Sequence, residues 1–493
     1  MLKNYTFFDP YSKLFMQKIF TERKPMNSTH LLNSFTRSLY WNCLSYAAQR
    51  TSNFITTIIL HKTLSSGDFC IWANSNSLIY LSLLWIDCGM RKSIPRYMSE
   101  FTKERTEHKK FILRIITGQT ILLMIAAPLI THIAQFNPIA KTEYEFALLC
   151  AALFFTEGIN NILRLIFHAH FWNKQSNTIA TCATVAQMIT AISTTHTIYS
   201  NTIYYIVASQ CIIGTIAGIL LIAKLKTLFN SSVWQQSNTP INTSVIYSNW
   251  LKHSAIMWAN NALKSLSERN ILVPFFTYTF GTNAANIYKI ANDGALCLYR
   301  IAIKTIGTSD TAVLAYAYST NEEKKLMQVA FKKLSSKIAG LSFPFLAFAF
   351  ALFLNRDDIN INPAVFLSFF IMTVGYMTEF TMSMYERVLE VCARYMILAI
   401  SYMPYIICIL SILIYKPILP FIGFTNSLLI MHGVRLVSSL IMLILARMQY
   451  PLLLMPPLIP YLLRALLICL VSYIGIRILC FLFLSKCLIP YTI

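Results

Sequence analysis

Residues 69–101 read FCIWANSNSLIYLSLLWIDCGMRKSIPRYMSEF, and this stretch decides the class of fold. From Phe69 to Ile86 it contains no Asp, Glu, Lys or Arg. About 20 predominantly apolar residues suffice for a helix to cross the hydrocarbon core of a bilayer. Asp87 and Gly89 then mark a turn, and the connection from Arg91 to Lys110 carries seven Lys and Arg. An apolar run closed by a basic connection is the signature of a membrane helix arriving at the cytoplasmic face.

The same alternation fills the 493-residue chain, of which 56% is hydrophobic and 12% charged, with a mean hydropathy of +0.55. Soluble domains carry roughly a quarter charged residues, so the surface of this protein faces lipid. Before the segment containing Phe69 lies a run at 38–60. After it come 111–133, 145–168, 177–198 and 202–223. A second set lies at 253–280, 284–303, 338–354, 363–385, 395–415, 421–445 and 464–485, the last preceded by Pro451, Pro456, Pro457 and Pro460. The sequence therefore predicts an all-α polytopic membrane protein with 12–14 transmembrane helices. Residues 1–37 carry no signal peptide pattern and form a cytoplasmic N-terminal segment.

Orientation follows from Lys and Arg. The N-terminal segment and the connections after even-numbered crossings hold 26 of them; the opposite set holds five, Lys62, Lys141, Arg356, Lys416 and Lys486. That bias puts the N-terminus in the cytoplasm of a cell whose plasma or inner membrane holds the chain. The overall charge of +21 is thus topological, and no nucleic-acid partner is expected. The 12 cysteines are scattered singly without metal-ligand spacing, and no glycine-rich phosphate loop occurs. Neither metal nor cofactor is expected, nor nucleotide-driven transport. Outward connections are too short to hold the catalytic loop of a membrane polymerase or ligase, so no catalytic residue is assigned.

A weak repeat recurs at an offset of 216–222 residues. Ala48-Gln49-Arg50 matches Ser267-Glu268-Arg269, and Phe69 to Ala73 matches Ala285 to Tyr288. Thr156-Glu157 precedes Arg164 as Thr378-Glu379 precedes Arg387. Matching order implies two pseudo-symmetric six-helix lobes with the same topology. The first occupies 38–223 and the second 253–445. A cytoplasmic linker at 224–252 joins them, and 446–493 adds a further membrane helix.

Charged side chains at mid-membrane cost about 2.5–3.5 kcal/mol on insertion scales, so those present require a reason. Basic groups outnumber acids there, as an anionic passenger such as a pyrophosphate headgroup needs. Lys289, Asn292, Asp293 and Arg300 share one helical face, and Lys289 with Asp293 forms an i,i+4 pair. Asn261, Lys264 and Glu268 share another face, beside Arg269. Arg50 and Arg269 match across the repeat. Arg50, Lys264, Arg269, Lys289 and Arg300 are the candidate cavity cations, with internal ion pairing the competing role for Lys264 and Lys289. Glu157, Asp293 and Glu379 are candidate ion- or proton-coupling carboxylates, with pairing to Arg164 or Arg387 the competing role for the two glutamates. Arg114, Arg164, Arg464 and Arg477 lie near segment ends and are expected to snorkel.

The stretch 69–101, with Asp87, Gly89, Arg91, Arg96 and Tyr97, resembles the second helix and following loop of polysaccharide-export flippases. The region from Leu266 to Asn321, LSERNILVPFFTYTF through IYKIA to AYAYSTN, looks like the seventh and eighth helices of that family. The family is the oligosaccharide-flippase branch of the multidrug/oligosaccharidyl-lipid/polysaccharide exporter superfamily, typified by Wzx-type O-antigen flippases. The resemblance implies two lobes around a cationic cavity, alternating access, and transfer of a polyprenyl-pyrophosphate-linked oligosaccharide from the cytoplasmic to the outer leaflet. Membrane lipids and polysaccharide polymerase or assembly proteins are the implied partners. A cation-coupled multidrug or metabolite antiporter of the same superfamily is the alternative.

Overall fold

The computed structural model describes residues 28–90, 93–94, 97, 105–135, 143–169, 173–197, 202–230, 243–266, 272–307, 323–355, 362–392, 394–414, 423–450 and 459–487. Among these residues the chain is helical, without strands. Fourteen helices follow in order: α1 (Ser28–Thr63), α2 (Ser66–Ile86), α3 (Arg105–Gln135), α4 (Tyr144–Ala169), α5 (Asn173–Thr197), α6 (Thr202–Asn230) and α7 (Thr243–Leu266). Then come α8 (Leu272–Phe280), α9 (Thr282–Gly307), α10 (Glu323–Leu354), α11 (Pro363–Val391), α12 (Tyr395–Ile414), α13 (Phe424–Gln449) and α14 (Ile459–Cys487).

Local chemistry sets several boundaries. Ser65 caps α2 by accepting from the Asp68 N–H at 3.1 Å, with Asp68 in the first turn, an arrangement that satisfies an orphan donor and suits the helix dipole. Asn362 caps α11 through the Ala364 N–H at 2.9 Å, and Pro363 occupies the first helical turn, where its missing donor costs nothing. After α2 the backbone turns through Cys88 at φ +48° and Gly89 at φ +75°.

Helix pairings repeat between the halves. In the first half α3 packs on α4, while α4 and α5 both pack on α6. In the second, α10 packs on α11, while α11 and α12 both pack on α13. The halves meet where α9 lies against α1 and α2, and where α7 and α8 lie against α2. The additional helix α14 packs on α10, with the Phe343 and Tyr461 rings stacked at 6.3 Å and Asn355 Nδ2 donating to the Tyr473 carbonyl at 3.3 Å.

The polarity of this bundle is the reverse of a soluble protein. Met396, Ile400, Ile407 and Ile414 line an exposed stripe on α12, and Leu463, Leu466, Leu467 and Val471 do so on α14. Inside sit Asn42, Asn74, Asn160, Asn286 and Asn292, all almost wholly buried. Seven of the described helices, α2, α3, α4, α6, α12, α13 and α14, are long and apolar enough to cross a membrane on those grounds alone. The chain is thus a multi-pass membrane protein. The remaining long helices carry their polar faces inward: α1 and α5 are zipped by Asn177 Nδ2 to Asn42 Oδ1 at 2.6 Å, Ser45 to Thr181 at 2.6 Å and Gln49 Nε2 to Thr181 at 3.2 Å.

Two expectations of length are revised. The segment 253–280 is two helices, α7 and α8, rather than one. Helices also reach further into the basic connections than hydropathy indicates: α1 begins at Ser28, α7 at Thr243 and α10 at Glu323. Basic side chains end an apolar run but not a helix, because Lys and Arg are good helix formers. Residues 1–27, much of the 91–104 connection and the prolines Pro451, Pro456 and Pro457 lie outside the described residues.

Candidate functional site

The seam between the halves is built from α9 on one side and α1 and α2 on the other. α9 is the most amphipathic of these elements because its polar residues recur on one face. Lys289 Nζ lies 3.0 Å from Asp293 Oδ2, with the two side chains 14% and 18% exposed. This is the i,i+4 ion pair that the helical spacing allows. Thr57 of α1 reaches across the seam and donates its hydroxyl to the same Asp293 oxygen at 2.7 Å. Lys289 is also capped by the Trp72 ring of α2, 5.4 Å from ammonium to centroid, a cation–π contact that holds the charge without neutralising it.

Arg50 is half-buried on α1. Its neighbour Thr51 meets the Cys297 thiol of α9 at 4.0 Å, and that thiol lies within electrostatic reach of both Arg50 and Asp293. The seam thus gathers Arg50, Lys289 and Asp293. It is extended by Asn286 Nδ2 donating to the Ser66 carbonyl and hydroxyl at 3.0 and 2.9 Å, and by Asn74 Nδ2 donating to Thr277 of α8 at 3.1 Å. At the other end of α2, Trp258 of α7 donates to the Trp85 carbonyl at 2.7 Å, and Ser254 donates to Ser93 at 2.8 Å. Gly89 is the pivot: a Cβ there would stand 2.2 Å from the Ser254 carbonyl oxygen.

Behind the seam, inside the second half, is a second charged centre. Arg435 Nε of α13 lies 3.0 Å from Glu379 Oε2 of α11. The guanidinium faces the Tyr405 and Tyr376 rings at 5.1 and 5.9 Å. Tyr376 in turn donates its hydroxyl to Asn292 Oδ1 at 2.6 Å, which links this centre to the residue adjoining Asp293. Glu157 lies apart from both, on α4 against α6, where its Oε1 is 3.9 Å from the position a Gly214 Cβ would take. Of the snorkelling arginines, Arg114 rests 4.9 Å over the Tyr247 ring and Arg477 donates to the Tyr473 hydroxyl at 3.0 Å.

Arg269 lies outside the described residues, as does Glu268. Lys264 and Arg300 stand on α7 and α9, with their side chains outside that description. Thr57, Trp72, Tyr376 and Tyr405 escaped the sequence reading because neutral and aromatic residues are frequent in any membrane helix. Arg435 and its partner Glu379 are 56 residues apart on different helices, a pairing that no spacing rule reveals. The Glu379 partner anticipated on its own helix, Arg387, is held instead near Glu390 and Tyr299.

No family model matches the chain, and no curated protein is similar to it. Solved structures are similar. An outward-facing multidrug-resistance MATE family transporter of the MOP superfamily is 12% identical, with a TM-score of 0.60 over 85% of this chain and 96% of that one. The lipid II flippase MurJ in an inward closed conformation is 13% identical, with a TM-score of 0.58 over 92% of this chain and 99% of that one. A MOP superfamily transporter from Pyrococcus furiosus, described by the reverse polarity of its binding pocket, is 13% identical with a TM-score of 0.58 over 85% and 96%. At such identities the likeness is one of fold, and the fold of this chain is the all-helical, multi-pass fold that these structures share.

Proposed function

We propose that the protein moves a polyprenyl-pyrophosphate-linked oligosaccharide from the cytoplasmic to the outer leaflet by alternating access, in the service of polysaccharide biosynthesis or export, as a Wzx-type flippase. The observation that carries this reading is the charge at the seam: Lys289, paired with Asp293 and shielded from lipid by Trp72, with Arg50 across from it. A buried ammonium held by one carboxylate can exchange that partner for a phosphate oxygen when a headgroup arrives. Asp293 keeps Lys289 neutralised in the empty state, and Thr57 keeps Asp293 in place. Arg50 supplies the planar fork that suits pyrophosphate oxygens, with Lys264, Arg269 and Arg300 as further cavity cations. The sugars follow through the protein while the polyprenyl tail stays in lipid. A ligand shifts the lobes only through unequal affinity for the two states, and contacts shared by α1 and α9 supply that inequality, because rocking separates them. The N-terminus is cytoplasmic, in the cell's inner or plasma membrane, and polymerase or assembly proteins receive the product.

The second reading, a cation-coupled multidrug or metabolite antiporter, draws on Asp293 itself: a cationic solute would compete with Lys289 for that carboxylate. One experiment separates the two. Purified protein in sealed vesicles holding labelled polyprenyl-pyrophosphate oligosaccharide is assayed for appearance of label in the opposite leaflet. Wild type should reorient the lipid, and Arg50→Ala with Arg269→Ala, or Lys289→Met alone, should slow it at least tenfold while remaining folded. Reorientation untouched by these variants removes the assigned cations from the pathway. Failure of the wild type on a panel of polyprenyl-linked glycans, with efflux of organic cations, establishes the antiporter instead.

A further inference from the structure

α9 carries two i,i+4 pairs side by side. Tyr288 and Asn292 form one, Lys289 and Asp293 the other. At 3.6 residues per turn, each member of the second pair stands about 100° round the axis from its neighbour in the first. Lys289 and Asp293 face the seam. Tyr288 and Asn292 face the interior of the second half, and both meet one phenol there. Tyr376 of α11 donates its hydroxyl to Asn292 Oδ1 at 2.6 Å, and the Tyr288 hydroxyl lies within hydrogen-bonding reach of the same group. Tyr288 and Tyr376 are wholly buried, and Asn292 almost so.

The phenol ring is itself held in place. Tyr299 of α9 packs against it at 5.5 Å, and His432 of α13 meets it edge-on at 5.4 Å. Arg435 lies 5.9 Å from the ring centre while paired with Glu379. Gly375, the residue before Tyr376, makes room for His432, because a Cβ there would collide with the imidazole.

Three consecutive residues of α9 thus meet three different constraints at one level. Asn292 is held by Tyr376 of α11, and Asp293 accepts from Thr57 of α1 at 2.7 Å. Gly294 lets both neighbours come close: a Cβ there would stand 3.0 Å from the Phe54 ring of α1 and 3.2 Å from the Phe369 ring of α11. α1 and α11 therefore grip α9 from two sides beside the charged pair.

Apolar packing does not fix how a helix is turned about its own axis, because burial of apolar surface has no direction. A hydrogen bond has one, and a buried polar group that loses its partner is costly. We propose that Tyr376 is a positioning residue: by holding Asn292 and Tyr288 it sets the rotation of α9, and with it the direction in which Lys289 and Asp293 face the seam. The Glu379–Arg435 pair acts through Tyr376 by supporting its ring, and so influences the seam without touching anything that binds there. The proposal rests on the transport reading only in taking Lys289 as a ligand of the headgroup.

The test follows the thiol of Cys297, one turn beyond Asp293 and 4.0 Å from the Thr51 hydroxyl of α1. All cysteines of the full chain are replaced except Cys297 and Cys469, the latter on α14. Maleimide modification of each is then timed in detergent by peptide mass spectrometry. Tyr376→Phe and Asn292→Ala should each speed Cys297 at least threefold while Cys469 keeps its rate. Tyr385→Phe, which alters a buried phenol of α11 packed instead on Phe331 of α10 at 5.0 Å, should move neither. Tyr376→Phe with Asn292→Leu removes both polar partners, which recovers much of the stability, yet Cys297 should stay fast. If Tyr376→Phe does not fold, Asn292→Ala and the double variant carry the test. An unmoved Cys297, or a rise shared equally by Cys469, overturns the proposal. So does a double variant in which the Cys297 rate returns together with the stability, which would make the bond a matter of folding alone. No glycan enters these measurements, so the proposal stands or falls apart from lipid reorientation.

Discussion

Gly89 shows how much one residue can decide. It takes φ +75°, and its missing Cβ leaves room for the backbone of α7 at Ser254 and Trp258. An alanine must accept the left-handed conformation, at roughly 1–2 kcal/mol, and also displace α7. Gly89→Ala is expected to lower the unfolding midpoint in detergent by more than Gly433→Ala, where a Cβ meets open space; equal losses would deny the close approach. Thr57 supplies a second case. Thr57→Val keeps the shape but removes a hydrogen bond to a charged acceptor, a loss of about 1.5–3 kcal/mol, measurable by denaturant unfolding in mixed micelles. An unchanged stability would mean that Asp293 finds another donor. The Asp87–Gly89 turn and the Lys289–Asp293 pair were legible in the sequence because both follow from local rules, a turn residue and an i,i+4 spacing. Thr57 was not, since its partner lies 236 residues away.

Among the elements, α11 and α13 are joined by the Glu379–Arg435 pair inside a cage of Tyr376 and Tyr405. Removing one member of a buried pair leaves the other charge uncompensated, at about 3–5 kcal/mol, whereas removing both is often tolerated. Arg435→Met alone is therefore expected to destabilise strongly, and Arg435→Met with Glu379→Gln to recover much of the loss. Additive losses in that double-mutant cycle would show that the two side chains act independently. The apolar spans were legible because lipid demands a run of about 20 residues. The division into α7 and α8 was not, since the polar run Ser267-Glu268-Arg269-Asn270 between them was read as charge inside one span. The early starts of α1, α7 and α10 were hidden for a different reason: polar turns outside the hydrocarbon core have no length requirement to betray them.

Over the whole molecule, the two halves pack by the same helix pairings although only scattered residues match between them. Packing needs small and large residues in complementary places, and many sequences satisfy that, so the repeat is strong in architecture and faint in letters. The basic bias of alternate connections predicts which ends face the cytoplasm. In a cysteine-free background, Lys62→Cys should react with an impermeant maleimide added to intact cells, and Lys324→Cys should react only after lysis. The reverse pattern would invert the assigned orientation.

The inward polar face of α9 also bears on how the chain is made. Lys289 and Asp293 together would add roughly 5–7 kcal/mol to the cost of placing α9 alone in lipid. Thr57, which satisfies Asp293, belongs to a helix synthesised more than 200 residues earlier. The ribosome therefore delivers α9 as a poor candidate for independent release from the translocon. It becomes a stable occupant of the bilayer only by docking on α1 and α2, already inserted and waiting. The seam between the halves is thus also the surface on which the second half of the protein is first received.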